Sequence, residues 1–121
     1  MDVSLLTMPC CIVFTMINQL SDVPALEYLD HTGHFVLVRP LPGSMVVNIG
    51  DCLERASNKR YSSTVHRVIN HADQERYSVV YFFDADPERE IRVASSCVSD
   101  QSPRRFEDVM AGLWQPGLYL K

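Results

Sequence analysis

The sequence predicts a mainly β fold, an incomplete double-stranded β-helix (jelly roll) that ends in a short C-terminal helix. Three observations lead there. Short segments rich in β-branched and aromatic residues recur along the chain, turn residues stand between them, and a sustained helical pattern is confined to the tail. A jelly roll needs about eight strands, whereas about six or seven can be counted. The length of 121 residues suits one domain.

The elements follow in order. Ser4 to Thr7 is a first short strand, and Pro9 to Ile17 is a nearly continuous apolar run. Leu26 to Leu29 is a strand, Asp30-His31-Thr32-Gly33 a turn, and His34 to Val38 the returning strand. Pro40, Pro42 and Gly43 break the chain before Ser44 to Ile49, a β-branched, apolar strand that ends at Gly50-Asp51. Cys52 to Ser57 reads as about one helical turn, closed near Asn58. Tyr61 to Ile69 and Arg76 to Phe83 read as strands, with turn chemistry at Asn70 to Asp73 between them. In the second of these, Tyr77, Val79, Tyr81 and Phe83 share one face, and Arg76, Ser78, Val80 and Phe82 the other. A last short strand is expected at Ile91 to Ala94, and a helix from Arg104 through Met110 that stops near Gly112.

Composition excludes several classes. Apolar residues make up 46% and charged residues 21%, ordinary for a globular chain and unlike a disordered one. A net charge of −4 argues against nucleic-acid binding. Lys59-Arg60 and Arg104-Arg105 are short basic pairs that read as solvated surface. The cysteines Cys10, Cys11, Cys52 and Cys97 form no Cys-x-x-Cys pair, so reduced, partly buried thiols of a cytoplasmic protein are expected rather than a zinc site. The apolar run is too short to span a membrane, which takes about 20 residues. No Lys or Arg precedes it and Asp2 has the wrong sign, so a secretory signal is not expected.

Three features carry chemistry. Arg76 and Ser78 are two apart on a strand, so both point to one face, where a guanidinium fork and a hydroxyl can hold a carboxylate. His66 lies in the preceding strand, and pairing the two strands as a hairpin would set it nearly opposite Ser78, on a face that the register would decide. Asp2 heads the first strand. Each alone has a bland reading: a surface arginine, a packed histidine, an ordinary acid. Together they match the needs of a mononuclear iron(II) oxygenase, whose metal takes two histidines and one carboxylate on one face and leaves the remaining positions open. A 2-oxo acid can chelate the metal there while its far carboxylate rests on the Arg/Ser pair, and its oxidative breakdown leaves succinate and carbon dioxide.

Three motifs then carry a family resemblance. Pro42 to Asp51, PGSMVVNIGD, resembles the "PGxxVVNIGD" signature of iron(II)/2-oxoglutarate oxygenases of the isopenicillin N synthase-like superfamily. Asn58 to Val68, NKRYSSTVHRV, resembles the family's "SNGRYKSxxHRV", and Glu75 to Phe83, ERYSVVYFF, resembles "ERxSIPFF". They occur in the family's order and spacing, and the similarity runs from about Val23 to the end. The resemblance implies Fe(2+) and 2-oxoglutarate as cofactor and co-substrate, molecular oxygen and a small organic metabolite as the other reactants, and no nucleic-acid or membrane partner. It implies that His66 binds iron, that Arg76 and Ser78 clamp the 2-oxoglutarate carboxylate, and that Asn48 and Tyr61 lie near the co-substrate. Asp2 to Met8, DVSLLTM, resembles the strand with the His-x-Asp pair, so Asp2 matches the iron-binding carboxylate and the first histidine would stand just before Met1.

The chain also departs from the family. Lys59 replaces a turn glycine and Val80 a proline, and the interval from Asp2 to His66 is longer by about a strand, the excess falling around Pro9 to Asn18. The family's long N-terminal region has no counterpart. The resemblance thus implies residues 1–121 as the C-terminal portion of a dioxygenase domain, in a truncated or misassembled product whose apolar run is extra sequence. Two other readings stand beside a dioxygenase that hydroxylates, desaturates or cyclises its substrate. One is an oxidase of the isopenicillin N synthase type that needs no 2-oxoglutarate, and the other a catalytically dead binding domain. His31 and His34 flank a turn and are expected to face solvent rather than replace the missing ligand.

Overall fold

Backbone pairing around one apolar strand organises the computed structural model, which describes residues 12–70 and 72–114. That strand is β1 (Ile12–Gln19). The chain continues through β2 (Leu26–Leu29), β3 (Phe35–Val38), β4 (Val46–Ile49), helix α1 (Asp51–Ala56), β5 (His66–Val68), β6 (Ser78–Asp84), β7 (Glu90–Ile91), a 3-10 turn at Ser95–Cys97 and β8 (Val109–Met110). Among the described residues the strands form two antiparallel three-stranded sheets, ordered β4-β1-β6 and β3-β2-β5, and a small β7-β8 pair. The architecture is mainly β, as expected. No helix among the described residues is long and apolar enough to cross a membrane.

β1 corrects one expectation. The part of the apolar run from Ile12 onward is not extra sequence but the central strand of its sheet, bonded to β4 on one edge and β6 on the other. Its alternation sets the faces. Thr15 and Ile17 are buried and point toward the second sheet, and antiparallel pairing puts Asn48, Val46, Phe82, Val80 and Ser78 on that same inner face. Phe14 points outward and stacks on Phe83, ring centroids 4.8 Å apart. In the second sheet Leu26 and Tyr28 lie beside Val38, Val36, Val68 and His66, and these form the opposing inner face. Its outer face carries the Glu27–Arg67 ion pair at 2.6 Å, with the Arg67 guanidinium 3.6 Å above the Phe35 ring.

The close approach of β1 to the end of β4 requires glycine. A Cβ on Gly50 would stand 2.1 Å from the Ile12 carbonyl oxygen, and the Gly50 N–H already donates to the Val13 carbonyl at 2.9 Å. Immediately after, α1 begins. It ends where the sequence suggests, with Asn58 and Lys59 both at positive φ, 54° and 68°, and the Lys59 N–H donating back to the Glu54 carbonyl.

Four further expectations are corrected. The strand expected over Tyr61 to Ile69 is confined to His66–Val68. Its first half is tied to α1 instead, through Tyr61 N–H to Ser57 Oγ and Ser63 N–H to Glu54 Oε2. β5 and β6 do not pair as a hairpin. β5 joins β2 and β6 joins β1, so the two strands belong to different sheets. The C-terminal helix is absent. Carbonyls that a helix would use internally accept side-chain donors, Glu107 from Arg55 and Pro103 from Asn58, and Val109–Met110 pairs with β7. Arg55 also lies over the rings of Phe106 and Trp114, which pins the tail to α1. Last, Cys52 is disulfide-bonded rather than a reduced thiol, whereas Cys97 is free. The first predicted strand, Ser4 to Thr7, lies outside the described residues.

A lysine at φ 68° carries left-handed strain that glycine would not. Its ion pair with Glu54, 3.7 Å long and half exposed, offsets little of this. Lys59→Gly should therefore raise stability by about 1 kcal/mol, read as a higher urea midpoint at unchanged slope. A lower midpoint would show that the turn is not strained.

Candidate functional site

The inner faces of the two sheets enclose a cavity of about 270 Å³. Ile17, Val46 and Asn48 line it from one sheet, Leu26, Tyr28 and His66 from the other, with Thr64 at the rim. His66 stands in β5 directly opposite Tyr28 of β2. It also borders a second cleft of about 430 Å³ between α1 and Trp114, which includes Glu54, Arg55 and Ser63. The imidazole thus lies where the space between the sheets meets the surface.

Its orientation follows from one hydrogen bond. His66 Nδ1 lies 3.0 Å from the Thr64 carbonyl oxygen, which can only accept, so Nδ1 carries the proton and Nε2 keeps its lone pair. A ring held this way by a backbone carbonyl is the arrangement found behind metal-binding histidines.

Arg76 and Ser78 lie on the same inner face at the far end of the sheet, since Ser78 is opposite Gln19 and Gln19 is in phase with Thr15 and Ile17. The Arg76 guanidinium donates to Ser78 Oγ at 2.9 Å and to Gln19 Oε1 at 3.3 Å. Its Nε is buried and has no hydrogen-bond partner among the described residues. Partial burial draws the guanidinium's pKa below its usual value, because it strips hydration from the charged form. A pre-positioned cation with a spare inward donor is chemically suited to a carboxylate. Neither residue lines the cavity at His66. The two groups therefore occupy opposed sheets rather than neighbouring strands.

The other candidates are placed as follows. Asn48 lines the cavity, opposite Thr15 in the ladder, and its amide donates to the Ile49 carbonyl. Tyr61 lies outside both spaces and is 53% exposed, and its N–H donates to Ser57 Oγ. Asp2 lies outside the described residues. His31 and His34 are exposed in the β2–β3 turn. There Asp30 accepts from Thr32 Oγ1 and from the backbone of Thr32 and His34, which lowers its pKa. Among the described residues no three His, Cys, Asp or Glu side chains are gathered so as to hold a metal ion.

Two participants escaped the sequence reading. Gln19 holds Arg76, and Thr15 presents a buried hydroxyl with no partner to the same face. Their signal was the period-two alternation Thr15, Ile17, Gln19, hidden because Pro9 to Ile17 reads as an unbroken apolar block.

The chain is similar to known proteins in sequence and in fold. The family model described as the 2OG-Fe(II) oxygenase superfamily matches residues 12–85. A homoarginine-6-hydroxylase of Glycine max is 45% identical over 74 residues, covering 61% of this chain and 22% of the relative. The 2-oxoglutarate-Fe(II) type oxidoreductase hxnY of Emericella nidulans is 35% identical over 100 residues, covering 78% of this chain and 29% of the relative. Among solved structures, the rice dioxygenase for auxin oxidation superposes with a TM-score of 0.79 at 34% identity, over 84% of this chain and 35% of that one. Neurospora crassa T7H in complex with alpha-KG superposes at 0.75 and 30% identity, over 87% of this chain and 34% of that one. The chain thus spans between a fifth and about a third of the length of these proteins.

The His66 arrangement makes a spectroscopic prediction. Nitrogen-15 shifts of the ring should report the Nδ1–H tautomer at a pH where the imidazole is neutral. An Nε2–H tautomer would remove the open lone pair.

Proposed function

Because the chain belongs to the 2OG-Fe(II) oxygenase superfamily, we propose that residues 1–121 are the C-terminal portion of an iron(II)- and 2-oxoglutarate-dependent dioxygenase domain with a jelly-roll core. The observation that carries this reading is the Arg76 guanidinium, held by Ser78 and Gln19 on an inner sheet face with its buried Nε unpartnered. An anionic oxygen is the partner that this group lacks. 2-Oxoglutarate offers a carboxylate at the end remote from its oxo acid, so one molecule can rest on Arg76 while its other end reaches toward His66.

In this reading His66 contributes Nε2 as one iron ligand, and the Thr64 carbonyl holds the ring in the tautomer that leaves that nitrogen free. Asp2 supplies the carboxylate ligand by its place in the motif. Asn48 borders the same cavity and serves the co-substrate through its amide. Arg76 and Ser78 bind and orient 2-oxoglutarate, and the apolar lining from Ile17, Leu26 and Val46 limits water around it. Iron, when bound, would supply the activation of oxygen and the oxidation of the co-substrate to succinate. The substrate is a small organic metabolite, and the hydroxylases among the relatives support hydroxylation as the outcome.

Calorimetry tests this. Manganese(II), a redox-inert substitute for iron(II), is added to this chain and to a version extended upstream, and 2-oxoglutarate is titrated into each. The extended version should bind 2-oxoglutarate in a metal-dependent way. Arg76→Gln should weaken that binding by about tenfold to a hundredfold, and His66→Ala should abolish the metal dependence. Binding unaffected by Arg76→Gln would refute the clamp. Substrate-dependent oxygen uptake without 2-oxoglutarate would assign the chain to the oxidase type instead.

A further inference from the structure

The two basic pairs of the sequence are 45 residues apart, yet the fold brings three of their four cations to one cleft. Asn58, 3% exposed, is responsible. Its Oδ1 accepts from the Arg105 N–H at 2.9 Å, and its Nδ2 donates to the carbonyls of Cys97 and Pro103, each at 3.1 Å. These bonds fix the C-terminal loop against the end of α1. The cleft between them is about 540 Å³, open to solvent, and lined by Lys59, Arg60, Arg105 and the hydroxyls of Ser62, Ser96 and Ser99.

None of the residues lining this cleft is acidic. Arg104 is drawn off to Asp108, and Lys59 is loosely paired with Glu54 at 3.7 Å. The guanidinium groups of Arg60 and Arg105 have no ion pair or hydrogen bond among the described residues. In a chain of net charge −4 this is a local concentration of positive charge. Two guanidinium forks, an ammonium and several hydroxyl donors around one opening match the three oxygens of a phosphoryl group better than a single carboxylate. Lys59 is held in this position by a left-handed backbone that glycine would adopt with less strain.

We propose that this cleft binds a phosphoryl group, as the free ion or as a phosphate ester. Neither Arg76 nor Ser78 lines it, so it is separate from the Arg76 clamp, and it shares only Lys59 with the cleft beside His66. The test titrates inorganic phosphate, and in parallel adenosine monophosphate, into the full chain while the amide signals of Ser62, Ser99 and Arg105 are followed. Saturable shifts at all three are expected, weakening as sodium chloride is added. Arg60→Gln and Arg105→Gln should each lower the affinity by about tenfold, and Arg76→Gln should leave it unchanged. Tighter binding of the nucleotide would assign the cleft to phosphate esters, and equal binding to the free ion; both support the site. Absence of saturable shifts in the millimolar range would overturn the proposal. So would affinity that is insensitive to salt, or equal in the glutamine variants.

Discussion

The two hydrogen-bond ladders along β1 are the constraint from which the rest follows. One strand bonded on both edges fixes the register of β4 and β6 at once, and register decides which side chains face inward. Because Ile17 and Thr15 point toward the second sheet, Asn48 must do so as Thr15's neighbour in β4, and Ser78 as Gln19's neighbour in β6. The same logic in the second sheet turns His66 inward beside Tyr28. The candidate site is therefore a consequence of parity in two ladders rather than of any loop. A slip of one residue in β1 would turn Thr15, Ile17 and Gln19 together away from the face that Asn48, Ser78 and Phe82 share.

What these ladders do not supply is a thick core. Among the described residues the buried apolar side chains are few and mostly small or at one position per strand: Ile17, Ala25, Leu26, Cys52 and Ala111. Among the described residues β6 is paired along one edge only, and Val79, Tyr81 and Phe83 on one face and Val80 and Phe82 on the other are all exposed. Free edges with apolar side chains are surfaces that proteins normally pair or cover. Much of the local order here comes instead from polar anchors. Asn58 ties the C-terminal loop to α1, Arg55 holds Phe106, Glu107 and Trp114, and Asp30 organises the β2–β3 turn.

Much of this was legible in the sequence. β2, its turn and β3 stand where β-branched and aromatic residues bounded by Asp30 and Gly33 placed them, and the alternation along Arg76 to Phe83 assigned Ser78 and Val80 to the correct shared face. The Arg76–Ser78 pair could be read from spacing because a strand's period is fixed by the backbone. Other features depended on distant partners. His66 and Ser78 looked like hairpin neighbours, but Leu26 and Glu27 claim β5 for the other sheet. The tail around Phe106 to Met110 has a helical pattern, yet Asn58 and Arg55, about half the chain away, take its carbonyls. The apolar run looked superfluous because a strand with both faces at least partly covered shows little of the alternation that marks a half-exposed one.

In the proposed function, two opposed sheet faces, one bearing Asn48 and Arg76 and the other Tyr28 and His66, serve one metal-dependent site. The most direct measurement is paramagnetic broadening of amide signals by manganese(II) in the presence of 2-oxoglutarate, on a version of the chain extended upstream. Tyr28, Asn48 and His66 should broaden first, while His31 and His34 in the exposed turn stay sharp. Broadening centred on His31 and His34, or confined to one sheet, would contradict it.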